Sequence, residues 1–331
     1  MSNIVLSGVK PTGIPTLGNY LGALKNFVKL QKSMTDYEFF IFVADLHAIT
    51  TPQDPKELRQ NIKNVAALYL ACGLVPERLT LFIQSEVHEH AELGYVMQSI
   101  SYTGELERMT QYKDKMQKQV AGVTSALLTY PALMAADILL YDAKYVPVGD
   151  DQKQHLELAR DLATRFNNRF GETFVVPEGL ISEKGARIMD LQEPSKKMDK
   201  SAENQRGCVY LLEPIASIKK KIRSAVTDSE AQVRYDPENK PGIANLMTIY
   251  STITEMPYEQ IEAKYKGRGY GDFKDDLAEI VAKEVEEIQV RYNQLINSSE
   301  LQDILNAGQL KAQAVAKRKL AKVYKKLGLG R

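Results

Sequence analysis

The sequence predicts an α/β fold, a Rossmann-like doubly wound parallel sheet followed by a smaller all-helical domain. Three observations carry this. Strand-length apolar runs alternate with helical patterns up to residue 85, and such alternation favours parallel strands joined by right-handed crossovers. Two strand ends, near residues 8 and 149, run through glycine into polar residues at a helix start. Beyond residue 201 the strands cease and five helical patterns follow.

Residues 4–6 end a buried strand, and Gly8, Pro11, Gly13 and Pro15 punctuate a loop before a helix that opens near Thr16–Asn19 and runs to about residue 32. Unpaired backbone N–H groups and the positive end of a helix dipole make such a junction a phosphate site. The same pattern equally describes an ordinary strand-to-helix turn. Residues 37–44 (YEFFIFVA) read as a strand buried on both faces. His47 follows its carboxyl end, where open parallel sheets place ligands, and reads equally as a structural histidine. Asp54 and Pro55 cap a helix that Gly73 stops, and LTLFIQ at 79–84 is the next strand.

His88 and His90, flanked by Glu89 and Glu92, read as exposed surface at a helix start. Residues 112–124 are polar and poorly periodic, a loop whose Lys113, Lys115 and Lys118 could meet a polyphosphate. Residues 127–141 (LLTYPALMAADILLY) are apolar nearly all round and predict a buried helix with Pro131 near its start. Asp137 lies inside it. A buried carboxylate needs a dedicated partner, and no basic residue stands between Lys118 and Lys144, which favours a ligand donor. A strand at 145–148, then GDDQ at 149–152 and a long helix to about residue 170, repeats the opening geometry.

The 331 residues suit two domains, here 1–190 and 191–331; the net charge of +1 gives no whole-chain basic signature. The last 21 residues nevertheless carry eight basic side chains and no acidic one, which suggests a polyanion partner. Cys72 and Cys208 form no metal-spaced cluster. No apolar run reaches a membrane span, and MSNIVLSGVK lacks the features of a signal peptide, so a cytoplasmic protein without membrane attachment is expected.

TLGN at 16–19, GDDQ at 149–152 and KMDKS at 197–201 together resemble the signature motifs of the class I aminoacyl-tRNA synthetases. SGVKPTGIPTLGNYLGAL, GELERM, VPVGDDQKQH, GARIM, AVTDSE and KPGIANL are similar, more narrowly, to the bacterial tryptophan branch of that family. The resemblance covers nearly the whole chain. It implies activation of tryptophan with ATP, transfer to tRNA(Trp), magnesium held through ATP phosphates and a homodimer. The reaction needs no protein nucleophile, because the substrate carboxylate attacks the α-phosphate.

The resemblance also assigns residues. Lys115, Lys197 and Lys200 would be catalytic, neutralising the triphosphate. Lys10, Thr12, Thr16, Gly18, Asn19, Gly149, Asp151, Gln152, Ile188, Lys197, Met198, Lys200 and Ser201 would bind ATP. Leu6, His47, Tyr130, Met134, Asp137, Val146, Val148 and Gln152 would bind tryptophan, with Asp137 accepting the indole N–H. Thr16 and Asn19 stand where the wider class carries histidines, and Asp199 where its loop carries serine. A tyrosine-specific relative, a small-molecule nucleotidyltransferase and a non-catalytic regulatory relative are the alternatives, separated by which amino acid, if any, drives pyrophosphate exchange.

Overall fold

The computed structural model describes residues 3–117, 122–149, 152–180, 186–199 and 204–330, without the side chains at 115 and 117. Strand β1 (Ile4–Val9) leads to α1 (Leu17–Asn19), which continues through a π-helical turn (Tyr20–Leu24) into α2 (Lys25–Ser33). β2 (Glu38–Val43), α3 (Asp45–Ala48), α4 (Pro55–Ala71) and β3 (Leu79–Ile83) follow. Asp54 caps α4 by accepting from the N–H groups of Lys56 and Glu57 at 2.9 and 3.0 Å, ahead of a proline whose missing N–H costs nothing there.

Next come α5 (Glu89–Ile100), α6 (Thr103–Glu107), α7 (Thr110–Gln117) and α8 (Ser125–Leu139). β4 (Tyr145–Pro147), α9 (Lys153–Phe170) and β5 (Glu178–Leu180) complete the sheet. The remaining helices are α10 (Ile215–Arg223), α11 (Pro241–Thr254), α12 (Tyr258–Lys264), α13 (Tyr270–Leu295) and α14 (Ser299–Leu327).

The five strands lie in the order β3-β2-β1-β4-β5, all parallel. The order reverses direction between β1 and β4, the point at which open α/β sheets place ligands. β1 pairs with β2 as far as Val9–Val43, whereas its ladder with β4 is the single pair Val5–Tyr145. The carboxyl ends of β1 and β4 are therefore not tied to each other.

Strand alternation divides the core. Leu6, Phe40, Phe42 and Phe82 face α5, α8 and α9 on one side, while Ile41, Val43 and Leu81 face α4 and the start of α14 on the other. Leu17 and Leu21 instead join the interior of α10, α11 and α13, so the helix behind the first glycine loop rests on the helical half. Cys72 and Cys208 are buried and unpaired; burial, partly offset at Cys72 by Arg291, pushes their thiols up to about 12 and about 11.

Two local expectations change, and two features were not anticipated. Residues 110–117, of which 112–117 were expected in a loop, form α7. Pro131 is the seventh residue of α8, well inside it, and its missing N–H leaves the Leu127 carbonyl without the usual helical partner. β5 has the sequence EGL, with two exposed positions, too short and polar to read as a strand. The basic C-terminal run belongs to α14, which lies back against the sheet. Its Lys311 pairs with Glu38 at 2.7 Å, and its buried Lys319 pairs with Asp142 at 2.6 Å and donates to the Thr173 carbonyl at 2.8 Å.

α14 covers the outer strand β3, which shields an edge that would otherwise be open to further pairing. A Cβ at Gly308 would sit 1.8 Å from the Leu81 carbonyl oxygen, so only glycine lets the helix approach that closely. Gly308→Ala should lower unfolding free energy by about 3 kcal/mol in urea titration, whereas Gly271→Ala, with open space around it, should change stability by less than about 1 kcal/mol.

Candidate active site

A cavity of about 510 Å3 opens at the β1/β4 switch point. Its wall carries Leu6, Lys10, Thr12, Asn19, His47, Tyr130, Met134, Asp137, Val146, Val148 and Gln152. Eleven of the described candidate residues therefore meet in one place, contributed by β1, the loop after it, α1, α3, α8, β4 and the start of α9. Thr16, Gly18, Ile188, Lys197, Met198 and Gly149 stand off this wall. Asp151, Lys200 and Ser201, and the side chain of Lys115, lie outside the described residues.

The α1 start is closed by a reciprocal cap. Asn19 N–H donates to Thr16 Oγ1 at 3.2 Å, and Thr16 N–H and Oγ1 donate to Asn19 Oδ1 at 3.0 and 3.1 Å. Thr16 is buried, while Asn19 is exposed on the cavity wall with its amide nitrogen still able to donate. Gly18 faces a second layer. A Cβ there would lie 3.3 Å from Met198 Cβ and 3.6 Å from Ile188 Cβ. Met198 N–H donates to the Ile188 carbonyl at 3.0 Å, and Met189 pairs with Lys197 in an antiparallel bridge. Ile188 and Met198 are buried and Lys197 is exposed. The signature hairpin is thus anchored by its apolar residues to the backbone of α1, with its lysine outward.

Asp137 is the most constrained group in the cavity. It is 1% exposed. Its Oδ2 accepts from His47 Nε2 at 2.6 Å, and its Oδ1 accepts from His90 Nδ1 at 2.6 Å and Gln84 Nε2 at 2.7 Å. Burial alone would raise its pKa, but His47 and the hydrogen bonds from His47 and His90 outweigh that and hold the carboxyl below the usual aspartate value. With no basic neighbour on its helix, the sequence favours a ligand donor for Asp137; the structure supplies protein partners as well, and they come from the turn after β3, from α3 and from α5, far away in the sequence. His90, expected on the surface, is fully buried, while its neighbour His88 is exposed. Spacing of two residues on a helix turns two side chains to different faces, which is why one neighbour predicted nothing about the other.

The sequence reading also missed Gln84, His90, Tyr141 and His155. His155 is buried and bonded through Nε2 to the Tyr130 hydroxyl at 2.8 Å; Lys10 Nζ lies 5.8 Å from the centre of the Tyr130 ring. A usable signal existed for Tyr141, which is polar at the end of the same apolar stretch as Asp137; none existed for His90, whose neighbours are polar. Asp45, at the start of α3, accepts from the Ser85 N–H at 2.9 Å and from its hydroxyl, which ties the chain after β2 to the chain after β3.

A polar floor with one anionic acceptor, apolar walls and a cationic, amide-bearing mouth suits a flat heteroaromatic ring with a charged head group. The family model described as tRNA synthetases class I (W and Y) matches residues 2–286. The chain is 56% identical over 329 residues to a tryptophan–tRNA ligase of Bacillus anthracis, covering 99% of each. It is 58% identical over 327 residues to that of Oceanobacillus iheyensis, again covering 99% of each. Among solved structures, a tryptophanyl-tRNA synthetase from Mycoplasma pneumoniae superposes with a TM-score of 0.89 at 40% identity, over 100% of this chain and 99% of that one. One from Campylobacter jejuni, complexed with ADP and tryptophan, gives 0.85 at 37% identity over 98% and 100%.

The buried anion sets a stability prediction. Asp137→Asn turns an amide NH2 or a single oxygen toward three donors and should cost about 3 kcal/mol at neutral pH in urea unfolding. Because the folded pKa is depressed, this contribution is present above the ordinary aspartate value near 4 and is lost as pH falls through the lower folded value. The two unfolding free energies should therefore converge only on the acid side.

Proposed function

The chain belongs to the class I tRNA synthetases (W and Y), and we infer that it is a tryptophan–tRNA ligase: it activates tryptophan with ATP to tryptophanyl-adenylate and pyrophosphate, then transfers the tryptophanyl group to tRNA(Trp), releasing AMP. The observation that carries this is a buried, hydrogen-bonded carboxylate on the wall of an apolar cavity at the sheet's switch point, in a chain that matches tryptophan–tRNA ligases over nearly its full length.

The tryptophan ring lies among Leu6, Met134, Val146 and Val148, with Tyr130 and His47 beside it and its N–H donated to Asp137. An analogue without that N–H leaves a buried acceptor unpaired, a strong ground for rejection. The α-carboxylate attacks the ATP α-phosphate, so catalysis consists of positioning and charge stabilisation. Thr12, Thr16, Gly18 and Asn19 form the ATP side with Gly149, Asp151 and Gln152. Ile188 and Met198 hold the signature hairpin against α1. Lys10, Lys115, Lys197, Lys200 and Ser201 supply positive charge or donors to the triphosphate and departing pyrophosphate.

Magnesium would accompany ATP through phosphate oxygens; among the described residues no three His, Cys, Asp or Glu side chains stand together as a metal cage. Residues 1–190 would hold both small substrates, and the helices within 191–331 would receive the tRNA. Tyr95 and Tyr102, 73% and 64% exposed beside α5 and α6, support a homodimer through that face. Among the described residues no helix is long and apolar enough to cross a membrane; the place of work we propose is the cytoplasm.

Tryptophan, and not tyrosine, should drive ATP–pyrophosphate exchange. Asp137→Ala should lower kcat/KM for tryptophan by roughly a hundredfold in protein that still melts cooperatively. Near-normal exchange by that variant would remove Asp137 from the pocket, and exchange driven by tyrosine would overturn the specificity.

A further inference from the structure

His90 takes no place on the cavity wall, yet both of its ring nitrogens are engaged. Nδ1 lies 2.6 Å from Asp137 Oδ1 and Nε2 lies 2.7 Å from the Tyr141 hydroxyl. The ring is fully buried among aromatics, with the Phe42, Phe82 and Tyr141 centroids at 5.5, 5.9 and 5.4 Å. Burial pushes the Tyr141 hydroxyl well above its ordinary value, so it keeps its proton. Among the described residues that proton has no acceptor other than His90 Nε2. Nε2 is therefore an acceptor, and the ring proton must sit on Nδ1, facing Asp137.

A carboxylate offers about four acceptor sites. His90 and Gln84 occupy Oδ1, and His47 occupies one site on Oδ2. Among the described residues nothing takes the second site on Oδ2, on a side chain that lines the cavity. We propose that Tyr141 and His90 form a positioning relay, which fixes the His90 tautomer and, with Gln84, saturates Oδ1 so that Asp137 presents a single directed acceptor to the substrate ring. This rests on the tryptophan reading and deepens it: the residues that set the preference for a ring N–H lie behind the pocket, out of contact with substrate.

Without the Tyr141 hydroxyl Nε2 loses its partner and the imidazole is no longer anchored at its far side. The ring is then free to tilt, Nδ1–H leaves its line to Oδ1, the carboxylate rotates with it, and the remaining Oδ2 site no longer meets the ring N–H. An amino acid with no such N–H is indifferent to that change. The predicted loss is therefore selective, whereas general loosening of the pocket would impair both ligands.

The test measures pyrophosphate exchange with tryptophan and with 3-benzothienylalanine, whose sulfur replaces the indole N–H, in wild type, Tyr141→Phe and His90→Phe. The kcat/KM ratio of tryptophan over the analogue should fall by roughly tenfold in Tyr141→Phe, through a higher KM for tryptophan with the analogue's KM unchanged. It should fall at least as far in His90→Phe. Tyr141→Phe removes one oxygen and keeps the ring, so it decides the matter alone if His90→Phe does not fold. An unchanged ratio, with both substrates impaired alike, would reduce the relay to a packing role and overturn the proposal. A wild-type chain without tryptophan-dependent exchange would instead overturn the functional reading itself, a result distinct from an unchanged ratio in an active enzyme.

Discussion

The rest of the site depends on the carboxylate of Asp137. An anion 1% exposed persists only if the surrounding protein replaces the water it has lost. Here three separate pieces of chain do so: His47 from α3 after β2, Gln84 from the turn after β3, and His90 from α5. The same bonds draw the ends of β2 and β3 and the buried helices α5 and α8 to one point. The interaction is thus both a brace for the sheet's carboxyl edge and the polar floor of the cavity, and no one of its members can be changed without leaving another unsatisfied.

The helical half contributes by support from outside. Leu17 and Leu21 are packed into its core, and Ile188 and Met198 sit against Gly18, so the glycine loop and the signature hairpin share one apolar anchor. α14 then returns to cover β3, close enough that Gly308 touches the Leu81 backbone. Lys319 is carried into the sheet layer beside Asp142. A basic tail in the sequence is accordingly, in part, an internal ion pair, and its external charge is smaller than its composition suggests.

Much of the architecture was legible because its signals are local. Periodicity separated the strands from the helices, glycine after β1 and β4 marked the two strand-to-helix junctions, and a near-continuous apolar run identified α8. The elements that were misread had weak or conflicting local signals. β5 is three residues of exposed, polar character held by pairing with β4, α7 is polar nearly throughout, and Pro131 sits where helix propensity disfavours it but burial decides.

By itself the sequence determined the order of elements, the two strand-to-helix junctions, and the fact that an acidic residue in an apolar helix must have a purpose. Only the tertiary structure decided what satisfies it. Asp137 is 90 residues from His47 and 47 from His90, and a hydrogen bond between side chains leaves no trace in local periodicity when the chain between them folds through strands and helices of its own. The lack of a basic neighbour on its own helix therefore said nothing about these distant partners, whereas the place of Asp137 on the cavity wall follows from the apolar helix around it and the sheet edge beside it, both written in short-range pattern.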